Sequence, residues 1–481
     1  MQPTFIAAIQ LAIGLAILLR GTFTSAYVFM LYSGLLAGSA ALVLPALGGS
    51  TIPPLQVALL FVIVAAALSP SRSLLLLPEA VRANRWLLCF AAYGIASALL
   101  APRLFAGTMQ VAPLKPLDSP DLFETALLGP SAQNLTSAVY LFGMVLVALA
   151  AYLVTCTQRG GIAALISTGI GIAWAHVVLG LVVMAAHGTP LDAILNLLRN
   201  GNYAQLDQSY QGFVRIRGLF PEPSAYADFG FAFMVLNAEL WYRSIRPGAT
   251  GPAAFALTMI LTFSTSSTAY AALLAYGLFF VLRAFLTPRL APASRIRQFA
   301  FAVLVIAILV AAMMLIVPEL PVKFMDMVNG MTIGKSASAS GRQRLFWALQ
   351  GWDAFVGSYG IGIGPGSFRS SSLVTAILGS TGVIGIVSFA LYLRSVLQPR
   401  RQSTYGRVAL LEHSIGGAFA VAAIFSLIPL VTSSAKPDPG TNFAFLAGTA
   451  LALRPKQRRK ERGEGARAMT LPHGMSQTTT A

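Results

Sequence analysis

The chain of 481 residues is 56% hydrophobic and only 10% charged, with a mean hydropathy of +0.73. A water-soluble globule has an apolar share, glycine included, of about half, so this composition excludes one and predicts an integral membrane protein with no sizeable soluble domain. The formal net charge of +17 is explained by the asymmetric loop distribution of Lys and Arg that orients membrane proteins, and nucleic acid is not expected as a partner.

The first apolar run follows Met-Gln-Pro-Thr without a basic n-region or a small-residue cleavage site, which predicts a retained helix rather than a signal peptide. Apolar runs predict helices over 4–19, 25–47, 53–69, 86–101, 134–155, 161–186, 225–242, 252–266, 268–287, 299–317, 373–393, 408–432 and 441–453. The expected fold is therefore an all-α polytopic transmembrane bundle of about 12–13 helices, each satisfying its own backbone polar groups. Cys89 and Cys156 lie far apart in sequence and make neither a disulfide framework nor a CxxC metal signature.

Placing the basic tail RPKQRRKERGEGAR in the cytoplasm puts segments 70–85, 156–160, 243–251, 283–298 and 394–407 on the same side, and with Arg20 that side holds 22 of the 33 Lys and Arg residues. Residues 1–454 form the bundle, and 455–481 are expected to be a disordered cytoplasmic tail drawn to anionic membrane lipids. An odd helix count leaves the N-terminus outside, an even count inside.

The outer side carries three long connections, 102–133, 187–224 and 318–372. Connections beyond about 12–15 residues are usually functional or disordered. The last contains a helical RQRLFWALQGWDAF, whose Phe346, Trp347, Trp352 and Phe355 fit one face of an amphipathic helix at the membrane interface. It closes on GIGIGPGSFRSSS, where glycines permit tight turns and close backbone approach to a ligand.

P-loop, HExxH and GxSxG motifs are all missing, and GIGPG follows neither a strand nor a βαβ unit, so a dinucleotide site is a poor reading. His176, His187, His413 and His473 are scattered, and His176 reads as a buried packing group rather than a ligand. No metal and no cofactor is expected. Five outer arginines stand out: Arg215 and Arg217 just before a helix, and Arg342, Arg344 and Arg369 in the large loop. Guanidinium forks pair with phosphate oxygens and keep their charge, which suits them to a diphosphate at a membrane surface. The plain alternative is snorkelling or pairing with carboxylates.

In FPEPSAYADFG, Pro221 and Pro223 delay the helix, with Ser224 the expected N-cap and Glu222 presented rigidly beside it. Glu222 is either aimed at a substrate or salt-bridged to Arg217. Asp228, one turn on, either favours the helix dipole or pairs with an arginine. The hydroxyls of STSST, 264–268, are expected to cap backbone groups of a tight outer turn.

Four stretches in order, RIRGLFPEPSAYA, FSTSSTAYAALLAY, SGRQRLFWALQGWDAF with GIGIGPGSFRSSS, and LVTAILGSTGVIGIVSFALYL, resemble the O-antigen polymerase and ligase family of bacterial inner-membrane glycosyltransferases. The resemblance covers roughly 210–395; the N-terminal half matches only as a string of helices. It implies a C-type glycosyltransferase bundle with its active site facing the periplasm, moving glycan from undecaprenyl diphosphate to an acceptor hydroxyl without a metal.

Carried over, Arg215 and Arg217 hold donor phosphates, Arg342 completes the clamp, and Arg344 and Arg369 extend it. Such cations stabilise charge developing on the leaving diphosphate. Glu222 is then the expected base, with Asp228 the fallback. Ligases of the group carry a histidine in the large loop or just before the next helix; residues 318–380 hold none, with serines after Phe368 instead. That favours a polysaccharide polymerase, with a chain-length regulator as partner, over a ligase acting on lipid A core or protein. A lipid-linked oligosaccharide flippase is the expectation from another class.

Overall fold

A computed structural model describes residues 2–45, 49–69, 75–115, 123–158, 160–201, 209–210, 213–286, 293–316, 339–398 and 407–453. The expected cytoplasmic tail and the start of the large loop, 317–338, lie outside the described residues. The helices are α1 (Phe5–Arg20), α2 (Phe23–Ser33), α3 (Pro54–Leu68), α4 (Leu77–Ala83), α5 (Arg85–Leu104), α6 (Ala132–Thr157), α7 (Gly161–Ala186), α8 (Pro190–Leu198) and α9 (Pro223–Tyr242). They continue as α10 (Pro247–Thr262), α11 (Ser267–Leu286), α12 (Ala293–Ile316), α13 (Ala339–Gly357), α14 (Leu373–Leu397), α15 (Arg407–Phe425), α16 (Ile428–Ser433) and α17 (Gly440–Ala452).

This is an all-α polytopic membrane bundle. Among the described residues, seven helices are long and apolar enough to cross a bilayer: α5, α6, α7, α11, α12, α14 and the Leu411–Ser433 span formed by α15 and α16. The helix expected over 25–47 is corrected: α2 ends at Ser33, one 3-10 turn follows to Leu36, and Leu42–Leu44 is a strand. That strand sits at the centre of a small antiparallel sheet, between Gln2–Pro3 and Ser50–Ile52. Hydropathy cannot separate a short apolar strand from a helix turn, and here the pairing partners decide. The span expected over 408–432 is interrupted at Ser426–Leu427, where α16 begins with Pro429 at its first turn.

The core centres on α9, in which Tyr226, Phe231, Val235, Leu236 and Leu240 are fully enclosed. Its aromatic residues continue into α17 and α15 through Phe233, Phe445 and Phe419. Hydrogen bonds gather the long connections at one end of the bundle: Thr4 N–H reaches the Ala41 carbonyl (3.0 Å), Gly38 N–H that of Leu219 (2.8 Å), Arg369 N–H that of Ala112 (2.8 Å) and Ser370 N–H that of Ala435 (3.2 Å). Because Gln2–Pro3 pairs with Leu42–Val43, residues 2–3 lie at this loop-rich end. At the other end, Arg246 donates to Ser167 Oγ (2.6 Å) and Arg295 to Ser244 Oγ (3.3 Å).

The glycine-rich stretch enters the bundle instead of waiting for a ligand. Gly360, Gly362, Gly364 and Gly366 all have positive φ, between 78° and 90°, so the chain alternates left-handed and ordinary residues in a way side chains resist. Their missing side chains admit neighbouring backbone. A Cβ on Gly362 meets the Ser380 carbonyl carbon at 2.6 Å, one on Gly364 meets Ser97 O at 2.6 Å, and one on Gly366 collides with Gln133 O. The close approach expected toward a ligand is thus made to α14, α5 and α6.

The ribbon answers a break in α14, where Gly382 has φ 57° and ψ −153° inside the helix. Val383 N–H turns to the Gly360 carbonyl (2.9 Å), and the freed carbonyls of Gly379 and Ser380 accept from Ile363 N–H (2.8 Å) and Gly364 N–H (3.0 Å). An unpaired buried amide costs about 2–7 kcal/mol, so break and ribbon stabilise each other. Broken membrane helices are tolerated where protein re-satisfies the freed groups.

Gly364→Ala adds about 1–3 kcal/mol of backbone strain to its collision with Ser97, and lowers the thermal unfolding midpoint in detergent. Gly248→Ala, with no atom within 4 Å of the added carbon and an ordinary φ, leaves the midpoint unchanged or raises it. Equal midpoints for the two variants contradict the ribbon's role.

Candidate functional site

At the loop-rich end the bundle encloses a cavity of about 290 Å³. Phe220, Ala225, Asp228 and Phe229 contribute one part of its wall and Asp438, Thr441 and Asn442 another, and Gln56 and Tyr140 line it as well. Two carboxyl groups therefore share one small cavity in a chain with only 16 acidic residues.

Both parts are built the same way. Pro221-Glu222-Pro223 opens α9 and Pro437-Asp438-Pro439 opens α17, the prolines fixing φ and suiting a first helical turn. At the second, Asp438 Oδ1 accepts from Gly440 N–H (2.9 Å) and Gly440 takes φ 86°. At the first, the N-cap is Glu222 rather than the expected Ser224, because Pro223 already occupies the first helical position.

The Glu222 carboxylate accepts from Ser224 Oγ; it is not in an ion pair with Arg217, and it does not line the cavity. Asp228, the fallback, does line it. Asp438 was not foreseen from the sequence, although the repeated Pro-acid-Pro pattern at a helix start was there to find.

Cations border the cavity on the Asp438 side. Lys436 Nζ lies 4.7 Å from the Tyr140 ring centroid, and Tyr140 lines the cavity. Arg369, beside it, stacks on Trp347 of α13 at 4.1 Å. Ser371 Oγ donates to the Arg344 carbonyl (2.5 Å), fixing α13 against the end of the glycine ribbon. Burial pushes the Lys436 ammonium below its ordinary value, and Arg369 adds to this while Asp438 opposes it. Burial pushes the Asp438 carboxyl up to about 6, against the opposing pull of the Gly440 N–H and Lys436.

A second cationic group stands at the entry to α9. Arg217 is buried, and its charge together with burial lowers the Arg199 guanidinium to about 10, partly offset by Asp192. Arg199 Nε donates to the Gly218 carbonyl (3.1 Å) and Nη1 to Asn196 Oδ1 (2.6 Å), while its buried Nη2 has no hydrogen-bond partner among the described residues. Arg215 Nη2 donates to the Thr265 carbonyl (3.2 Å) at the α10–α11 turn. There Ser264 Oγ caps the Leu261 carbonyl (2.7 Å), the role expected of these hydroxyls.

Of the five expected arginines, Arg217 stands with Arg199 and Arg369 with Lys436, while Arg215 binds the α10–α11 turn and Arg344 offers its backbone carbonyl to Ser371. Arg342 is exposed on the first turn of α13 and joins neither. His176 is buried and stacks on Tyr226 at 3.8 Å, its carbonyl accepting from the Tyr226 hydroxyl (3.0 Å), which is the packing role expected of it. At the basic end, buried Glu239 pairs with Arg243 and accepts from Arg283 Nη1 (2.9 Å) and Tyr276 Oη (2.9 Å), a network that joins α9 to α11. No family model, curated protein or solved structure matches the chain.

Because the Asp438 carboxyl is raised to about 6, folding favours its protonated form. Its contribution to stability is full below the ordinary carboxylate range and is lost as pH rises through about 6. Infrared difference spectroscopy should show a protonated carboxyl band disappearing with a midpoint near pH 6, and Asp438→Asn should abolish that component. A midpoint near the ordinary value of 3.8 contradicts the enclosure of this group.

Proposed function

We propose that the chain is a bacterial inner-membrane polysaccharide polymerase that transfers glycan from a lipid diphosphate to an acceptor sugar hydroxyl, with its loop-rich end facing the periplasm. The observation that carries this reading is a cavity at that end lined by both Asp228 and Asp438, with Lys436 held against its Tyr140 wall. A lipid-linked glycan presents a diphosphate and sugar hydroxyls together at the membrane surface, and the two cationic groups with the two carboxyl groups match both. The sequence likeness to polymerases and ligases of this class supports the same reading.

In this mechanism the acceptor oxygen attacks the anomeric carbon of the donor sugar, and the bond from that carbon to the diphosphate oxygen breaks. The acceptor proton passes to a cavity carboxylate, and the bonding pair leaves with the lipid diphosphate. Asp438 takes the base role first expected of Glu222, because its raised value lies near the working pH, where proton acceptance is efficient. Asp228 lines the same cavity and orients the acceptor. Arg217 with Arg199, and Arg369 with Lys436, hold the diphosphate and neutralise charge that develops as it leaves.

Purified protein supplied with a lipid-diphosphate oligosaccharide should lengthen the glycan in detergent, without a sealed vesicle or gradient. Asp438→Asn should lower the elongation rate by about 10²–10⁴-fold, the usual worth of a positioned base, and Glu222→Gln by no more than a few-fold. Arg217→Ala and Arg369→Ala should each abolish long products in cells while membrane insertion persists. Full activity of Asp438→Asn overturns the assignment. Glycan appearing on lipid A core or protein identifies a ligase, and translocation in sealed liposomes without a new glycosidic bond identifies a flippase.

A further inference from the structure

A second and larger space opens away from this site. Between α10, α11 and α12 lies a groove of about 910 Å³, near the upper end of the roughly 300–1,000 Å³ of ligand pockets. Its wall is apolar along most of its length, with Phe255 and Thr258 of α10 opposite Phe301, Ala302 and Val305 of α12.

The groove exists because α12 touches the bundle through its first two turns. There Phe299 stacks on Phe280 at 4.3 Å, and the Arg295 guanidinium lies 5.4 Å from the Trp241 ring. Further along, Phe301, Leu304 and Ile308 are exposed by 66%, 55% and 56%. A gap with apolar walls forfeits dispersion contacts on every lining atom, so in a bilayer it is filled by hydrocarbon. Arg295 and Gln298 line the mouth at the basic end, while the hydroxyls of Thr258 and Thr262 farther along donate to the Ala254 and Thr258 carbonyls of their own helix. Arg295 Nη1 donates to Gln298 Oε1 (2.9 Å) and Nη2 to Ser244 Oγ (3.3 Å), which holds the guanidinium in place beside exposed Arg297 and the Arg243–Arg246 turn.

We infer that this groove binds an anionic phospholipid of the leaflet at the basic end, its phosphate on Arg295 and one acyl chain between α10 and α12. Charge complementarity selects the occupant: the cations stand at the mouth and the walls beyond it are apolar, which is the polarity of a phospholipid lying along the membrane normal. Arg243, Arg246 and Arg297 stand at the same end, and juxtamembrane cations attract anionic headgroups. The bound chain acts as packing for α12, whose outer two-thirds meets the bundle across the groove. This inference rests on the membrane fold alone and stands or falls separately from the glycosyl-transfer reading.

Native mass spectrometry of the full chain tests it, with phosphatidylglycerol, phosphatidylcholine and polyprenyl phosphate titrated into delipidated protein. Phosphatidylglycerol should bind about fivefold or more tightly than phosphatidylcholine, the effect of roughly one surface cation, and Arg295→Gln should remove that preference. Ala302→Trp, which fills the groove and keeps Arg295, should lose binding of phosphatidylglycerol. Leu304→Trp, on the exposed side of the same helix, should bind like the unaltered chain and controls for folding. Undiminished binding in Ala302→Trp, equal affinity for the two phospholipids, or a preference for polyprenyl phosphate over phosphatidylglycerol overturns the proposal.

Discussion

The loop-rich end depends on one constraint: backbone groups released by a broken helix must be satisfied inside an apolar bundle. Gly382 breaks α14, and the glycine ribbon of residues 360–366 supplies what the helix no longer can, through Ile363 and Gly364 N–H and the Gly360 carbonyl. The exchange works only because backbone can approach backbone, and alternate glycines with positive φ leave no Cβ in the way. Asn134 at the start of α6 completes the set by donating to the Pro365 carbonyl (2.9 Å) and to Ser367 Oγ (2.9 Å). The fold thus ties α5, α6 and α14 to one loop.

From that anchor the cations follow. Once the ribbon is fixed, Phe368 is buried, Arg369 must emerge against Trp347, and Ser370 bonds the backbone of the loop that carries Lys436 and Asp438. Charged side chains are thereby held around a cavity by backbone geometry rather than by their mutual attraction. This matters because Arg369 and Lys436 repel each other, and near a membrane such a pair persists only when the chain holds it or an anion bridges it. Arg199 and Arg217 also lie together, with Asp192 4.0 Å from Arg199.

Much of the bundle was legible from hydropathy, since a spanning helix must be apolar for about 20 residues. The expected ranges for α7 and α9 agree with the observed Gly161–Ala186 and Pro223–Tyr242 to within two residues at each end. The stretch 37–52 was not legible, because a strand of Leu42–Leu44 is as apolar as a helix turn and only its partners at residues 2–3 and 50–52 distinguish it. The sequence could not say which of the arginines meet. Arg199 comes beside Arg217 with its Nε on the Gly218 carbonyl, and no spacing encodes that. Attention to Glu222 missed its counterpart Asp438, since only the tertiary packing brings Asp228 and Asp438 to line one cavity.

The central claim, that this cavity receives the glycan end of a lipid diphosphate, is tested most directly by a photo-reactive side chain installed at Asn442, which lines the wall beside Asp438. Illumination in the presence of a lipid-diphosphate oligosaccharide should give a covalent adduct carrying the sugars, while the same group installed at exposed Trp352 of α13 should give none. No adduct at Asn442, or equal capture at both positions, contradicts the account.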